Sequence, residues 1–200
     1  ESSLHILKKE HSFHNRVHLL HEITHGLIHL ENHGIAHRDI KASNILLNNE
    51  GVPLLSDFEE AIYYQENTEA TINIRGSPYH MPPEILKEQL LHDNKGYTQT
   101  NMYGVPTEMY SFGVLCYAVI EMKTPYLGVV GGLPGTITRH ELFQQIIHDH
   151  YRPQLNSSSN DNYNNNYNKE KEVEIEMKKV INDLIECCWS DDPLMRPSSF

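Results

Sequence analysis

His37-Arg38-Asp39-Ile40-Lys41-Ala42-Ser43-Asn44 is the stretch on which this 200-residue chain turns. It puts a carboxylate, an ammonium and an amide on one short loop. Upstream, Val17, Leu20, Ile23, Leu27 and Leu30 recur at helical spacing and Gly34 supplies a stop. An amphipathic helix is expected over 14–33, then a short extended piece at Ile35-Ala36. Downstream, the apolar runs Ile45 to Leu47 and Val52 to Leu55 flank Asn48-Asn49-Glu50-Gly51, which predicts a hairpin. Pro53 confines its strand to a sheet edge. A second acid, Asp57, follows that strand. Oxygen ligands on two converging segments suit Mg2+, which takes a few carboxylate or amide oxygens together with phosphates. Asp39 could accept a hydroxyl proton and Lys41 could neutralise a transferred phosphoryl group. These are the parts that phosphoryl transfer requires.

Farther out the pattern is mostly helical. Residues 4–12 hold a weak helical pattern, and 57–84 hold no sustained period and are expected to form a long loop. Met109 to Met122 is apolar nearly all round, as in a buried central helix. Thr138-Arg139-His140-Glu141 has the capping-box spelling before Leu142, Phe143, Ile146 and Ile147. Residues 156–168 are mostly Asn and Ser, a low-complexity insert that cannot bury a core. Val173, Met177, Val180, Leu184 and Cys188 form a last helical stripe, and Asp191 to Pro197 closes as a loop.

Sixteen Lys and Arg against 27 Asp and Glu leave a net charge of -11. That disfavours nucleic acid, which needs a basic face, and docking on anionic lipid. Three cysteines, two of them the adjacent Cys187 and Cys188, fit a reducing, cytoplasmic (intracellular) setting. The longest apolar run, Phe112 to Met122, is too short to span a bilayer. No leader pattern opens the chain, and Glu1 at its start suggests a fragment.

His37 to Asn44 matches H-R-D-x-K-x-x-N, and here the chain resembles the protein kinase family. Asp57-Phe58-Glu59 stands where D-F-G belongs. Gly76-Ser77-Pro78-Tyr79-His80-Met81-Pro82-Pro83-Glu84 resembles the end of a kinase activation loop, and Glu108 to Gly113 the start of the large lobe's central helix. Cys188-Trp189 through Asp192-Pro193 to Arg196-Pro197 resembles the ending of tyrosine-kinase-like kinases. The resemblance implies a Ser/Thr protein kinase of that group, with ATP and Mg2+ as cofactors and a protein substrate. Its fold would be α+β: a protein-kinase-like, mainly α-helical large lobe with a small β-hairpin. It would occupy 1–200, with the small lobe absent.

Roles follow from the resemblance. Asp39 would position the substrate hydroxyl and take its proton, and Lys41, the Ser/Thr-kinase form at its place, would sit on the γ-phosphate. Asn44 and Asp57 would hold Mg2+. Arg38 would pair with a phosphorylated activation loop, with Thr68, Thr71 and Ser77 as candidate sites. Ser77 has a second expected role, reaching Asp39 and Lys41 to shape the acceptor site. His37 would pack beside Phe58, Glu108 would bond the backbone of the His37-Arg38-Asp39 loop, and Glu84 and Arg196 would form a structural ion pair.

Several features depart from the family pattern. No G-x-G-x-x-G occurs, nor any V-A-I-K-like strand before His37. The phosphate-covering loop and the small-lobe Lys are therefore missing from these residues, and the 200 residues alone are expected to be inactive. Glu59 replaces the flexible Gly, Glu108 replaces a shorter Asp, and Pro82 replaces Ala. These changes keep two further readings open: a pseudokinase scaffold and a non-catalytic interaction module.

Fourteen histidines raise a metal question, and His11, His14, His18, His21 and His25 recur every three to four residues. With no partner Cys and no H-E-x-x-H site expected, they are read as a solvated face. The Cys187-Cys188 pair reads as packing beside Trp189, and Glu170 to Glu176 as a solvated helix face.

Overall fold

Ser12 opens the first helix: its hydroxyl accepts the Asn15 N–H at 3.3 Å and satisfies one of the helix's unpaired donors. The computed structural model describes residues 12–64, 71–91, 97–99, 102–131, 133–156 and 169–197. Helix α1 (Phe13–Asn32) buries Leu20, Ile23, Leu27 and Leu30 as the spacing predicts; Val17 is half-buried against the same core, and Phe13 and Leu19 join it. Gly34 then turns the chain at φ +64°, a conformation glycine adopts without a side-chain penalty.

Three two-stranded antiparallel pairs follow among the described residues. Strand β1 (Ile35–Ala36) pairs with β4 (Ile62–Tyr63), setting Ile35 opposite Tyr63. The expected hairpin is β2 (Ile45–Leu47) against β3 (Pro53–Leu55), with Ile45 opposite Leu55. Its turn is organised by Asn48, whose Oδ1 accepts the Glu50 and Val52 N–H groups at 2.9 Å. Strand β5 (Thr71–Asn73) pairs with β6 (Tyr97–Gln99).

The expectation of an unbroken loop over 57–84 is corrected. It contains β4 and β5, and helix α2 (Pro83–Leu91) starts within it. Strands of two or three residues are too short to show a period. Pro82-Pro83 looks like a breaker, but proline suits a first helical turn, where its missing N–H has no partner to lose.

Helix α3 (Val105–Glu121) begins four residues before the expected Met109, and Val114 and Leu115 are fully buried. Each such side chain contributes about 1.5–3 kcal/mol of hydrophobic stabilisation. Helix α4 (Arg139–His148) starts on the predicted capping box: Thr138 Oγ1 accepts the Glu141 N–H at 3.1 Å and Glu141 accepts the Thr138 N–H at 2.7 Å. Helix α5 (Lys169–Cys188) carries its apolar stripe in a different rotation from the one expected. Val173, Val180 and Leu184 are exposed, whereas Ile185 and Cys188 are buried and Met177 and Ile181 pack against the core. The i, i+4 row 177–181–185 selects the face, because α5 must meet α3 at Gly113. A Cβ on Gly113 would lie 2.7 Å from the Cys188 Cβ.

Two clusters make up the core. One joins α1, α3, α5 and the hairpin; the other joins α2 and α4 around Tyr103 and Tyr126. Among the described residues no helix is long and apolar enough to cross a membrane. Residues 4–11 of the weak N-terminal pattern, Thr68, and 157–168 of the insert lie outside the described residues.

Candidate active site

The loop after β1 is held from beneath by helix α3. Glu108, in the first turn of α3, accepts the His37 N–H at 2.8 Å and the Arg38 N–H at 3.0 Å. The longer acid at this place does reach both donors. Burial raises its carboxyl to about 7, against the opposing pull of those two bonds and of Arg38. Arg38 sits at φ +68°, a left-handed conformation that costs a non-glycine residue free energy and persists only where its surroundings enforce it.

His37 is fully buried. Its Nε2 donates to the Ser56 carbonyl at 2.9 Å, its Nδ1 accepts the Asp39 N–H at 3.3 Å, and its ring centre lies 4.8 Å from that of Phe58. Burial lowers its pKa and keeps it neutral. With both nitrogens engaged, it is a scaffold for the loop and not a proton acceptor.

Asp39 is the hub. Its carboxylate accepts from Lys41 Nζ at 2.5 Å, the Ser77 N–H at 2.8 Å and Asn44 Nδ2 at 3.0 Å. Burial pushes this carboxyl up, but the Lys41, Ser77 and Asn44 donors and the Lys41 charge outweigh it and hold it below the ordinary range. Asp39 is therefore ionised at neutral pH. Lys41 Nζ also donates to Ser77 Oγ at 2.9 Å, so one ammonium spans the carboxylate and a hydroxyl. Asn44 Nδ2 donates to the Asp39 carbonyl at 2.9 Å as well.

Gly76 brings the distant Ser77 to this loop. It lies at φ +109°, and a Cβ there would fall 2.2 Å from the Arg38 carbonyl oxygen. No side chain fits where the two segments touch. Asp57 stands beside Asn44 because the Ser56 N–H and hydroxyl both donate to the Asn44 carbonyl at 2.9 Å. Asp57 is itself left-handed, at φ +66°, and its side chain is exposed. Glu59 is exposed and is not among the positive-φ residues, so this conformation makes no demand for glycine there.

Arg38 points away from Asp39. It donates through Nε to the Glu60 carbonyl and through Nη1 to the Asn73 carbonyl at 3.1 Å. Its Nη2 lies 3.6 Å from the Glu60 carboxylate, and its guanidinium lies 5.1 Å from the Tyr103 ring centre. In the unmodified chain a carboxylate stands beside this arginine. Sequence reasoning weighed Glu59 and passed over Glu60 and Tyr103, which carry no mark in the sequence and become partners only when Arg38 is folded between them. It also passed over His80, which burial pushes down to about 4 and whose carbonyl accepts from Ser111 Oγ at 2.8 Å. Glu84 and Arg196 meet away from the hub, at 2.6 and 2.9 Å. The structure thus gathers Asp39, Lys41, Asn44 and Ser77, sets Asp57 alongside and leaves Arg38 on the far side. Thr71 lies in β5.

The class is set by a mainly helical lobe whose His37-Arg38-Asp39 loop is held by the first turn of its central helix. The Protein kinase domain family matches residues 3–200, and the chain belongs to that family. Curated relatives agree. The chain is 33% identical over 106 residues to Serine/threonine-protein kinase SMU1 of Mycosarcoma maydis, covering 53% of this chain and 13% of that protein. It is 31% identical over 138 residues to Serine/threonine-protein kinase shk1/pak1 of Schizosaccharomyces pombe, covering 64% and 19%. It is 27% identical over 196 residues to an Arabidopsis thaliana protein kinase and PP2C-like domain-containing protein, covering 87% and 26%. The chain therefore spans between an eighth and about a quarter of the length of these relatives.

Proposed function

We propose that the chain is the large lobe of a protein serine/threonine kinase that transfers the γ-phosphoryl of Mg-ATP to a Ser or Thr hydroxyl of a protein substrate. The observation that carries this is the Lys41 ammonium shared between the Asp39 carboxylate and the Ser77 hydroxyl. An ionised base and a fixed cation then face one point, with a hydroxyl marking where an acceptor hydroxyl can sit.

The donor set fits the cofactor. Asn44 and Asp57 offer an amide and a carboxylate, hard oxygen donors on segments tied together through Ser56, with no thiol among them. When bound, Mg-ATP supplies the phosphoryl group and screens its charge. Asn44 and Asp57 would hold the metal, Asp39 would orient the acceptor hydroxyl and take its proton, and Lys41 would neutralise developing charge. Exposed Leu46, Leu54 and Phe58 lie on the hairpin and just after it, and a small lobe would cover them.

In the full-length protein, Asp39→Asn should lower transfer of labelled phosphate to a Ser/Thr peptide by on the order of a hundredfold or more without loss of fold. Equal activity in variant and parent would overturn the role of Asp39. A well-folded but inactive parent would favour the scaffold reading.

A further inference from the structure

Residues 21–25 read His21-Glu22-Ile23-Thr24-His25, which is the H-E-x-x-H spelling that the sequence expectation above held to be absent. In helix α1 the i, i+4 spacing stacks both imidazoles on one face with the acid beside them. The ring centres lie 4.8 Å apart at an interplanar angle of 76°. The Glu22 carboxylate reaches both: Oε1 is 3.5 Å from His21 Nδ1 and Oε2 is 3.8 Å from His25 Nδ1. Candidate donor atoms of the three residues all lie within 4.8 Å of one another.

We infer that His21, Glu22 and His25 form a binding site for a divalent transition-metal ion of the zinc type. Two imidazoles and a carboxylate suit Zn2+, which binds His nitrogen and Asp or Glu oxygen at about 2.0–2.2 Å. A tetrahedral ion needs its donors about 3.3 Å apart by that geometry, so the three groups must close by roughly 1.5 Å at most. They have room to do so: the His21, Glu22 and His25 side chains are 66%, 30% and 60% exposed. The face is distinct from the Asp39 hub, because α1 buries Ile23 and Leu27 toward the core and turns the histidines outward. His18 continues the row with its ring 6.5 Å from that of His21. The site binds without hydrolysing: its ligands stand on an open helix face that excludes no water around a substrate. An ion held there ties one turn of α1 to the next, on the helix that leads through Gly34 and β1 into the His37-Arg38-Asp39 loop. Binding to the folded chain alone raises its stability by mass action.

The test is calorimetric titration of the metal-free full-length protein with zinc chloride, paired with thermal melting followed by circular dichroism. The parent should show one saturable site of micromolar affinity and a zinc-dependent rise in melting temperature. His21→Gln with His25→Gln should lose on the order of tenfold or more in affinity and should lose the zinc-dependent rise, while its metal-free melting stays that of the parent. His14→Gln with His140→Gln, two exposed histidines elsewhere, should change neither. Three results would overturn the assignment: no saturable zinc binding by the parent, zinc binding retained in the His21/His25 variant, or equal loss in the two double variants.

Discussion

Two ion pairs in this chain have the same chemistry and opposite settings. Arg196 and Glu84, 112 residues apart, meet in a two-bond fork at 2.6 and 2.9 Å, with the Arg196 side chain fully buried. The guanidinium also donates to the Pro106 and Ser190 carbonyls and lies 5.2 Å from the Tyr110 ring centre. All three guanidinium nitrogens donate, so this pair ties α2, α3 and the C-terminal loop together. Lys41 and Asp39 meet at 2.5 Å on one loop, with Lys41 one-quarter exposed and its ammonium divided between Asp39 and Ser77. The first pair is saturated and inward. The second is open on one side and can exchange a partner. The difference separates a fastener from a site, although both are equally plain as charges in the sequence.

The largest expected effect falls on the fastener. Arg196→Ala strands Glu84 and two carbonyls, and urea denaturation should show a loss of about 3–5 kcal/mol. A loss near zero would erase the contrast between the two pairs. Next comes the support beneath the site. Glu108 has its carboxyl raised by burial to about 7 from an ordinary 4.5, so between those values the folded chain holds a proton that the unfolded chain has released. Its contribution to stability should fall as pH rises from 4.5 through 7, by up to about 3 kcal/mol. His80, lowered by burial to about 4, works in the opposite direction between 4 and 6.5. The stability difference between parent and Glu108→Gln, measured across pH, isolates the Glu108 part. It should shrink as pH rises.

Gly113→Ala drives a methyl to within 2.7 Å of the Cys188 Cβ and should cost about 1–3 kcal/mol, seen as a lower denaturation midpoint. At the open pair, Asp39→Asn should move stability by only about 1 kcal/mol while transfer is lost in the full-length protein. A stability loss as large as that of Arg196→Ala would make Asp39 a second fastener. The smallest effect belongs to Glu60→Gln, which removes a partly exposed charge 3.6 Å from Arg38 and should cost less than about 0.5 kcal/mol. The Arg38 bond to the Asn73 carbonyl does not depend on that charge.

Much of this is legible in the sequence. The apolar spacing along α1, the Thr138 capping box and the Asn48 turn are local effects, settled within about four residues, and each element stands where its pattern puts it. The hub residues Asp39, Lys41 and Asn44 were legible because they share one loop. Three things were not. Strands β4 and β5 are too short to carry a period, α2 hides behind two prolines, and the buried face of α5 depends on where Gly113 opens a space on α3. Glu60 escaped notice because an acid in a polar loop carries no mark until an arginine arrives beside it.

The residues alone were enough for the family, for every long helix except α2 and for the chemical types available to the site, since these rest on motifs, local spacing and side-chain identity. Only the packed structure set which charge is sealed and which stays open, and how the contacts expected of Glu108 and Ser77 are made: both carboxylate oxygens of Glu108 on the loop backbone, and Gly76 letting the Ser77 N–H close on Asp39. Those outcomes depend on burial and on contacts between segments tens of residues apart, and no local pattern encodes either.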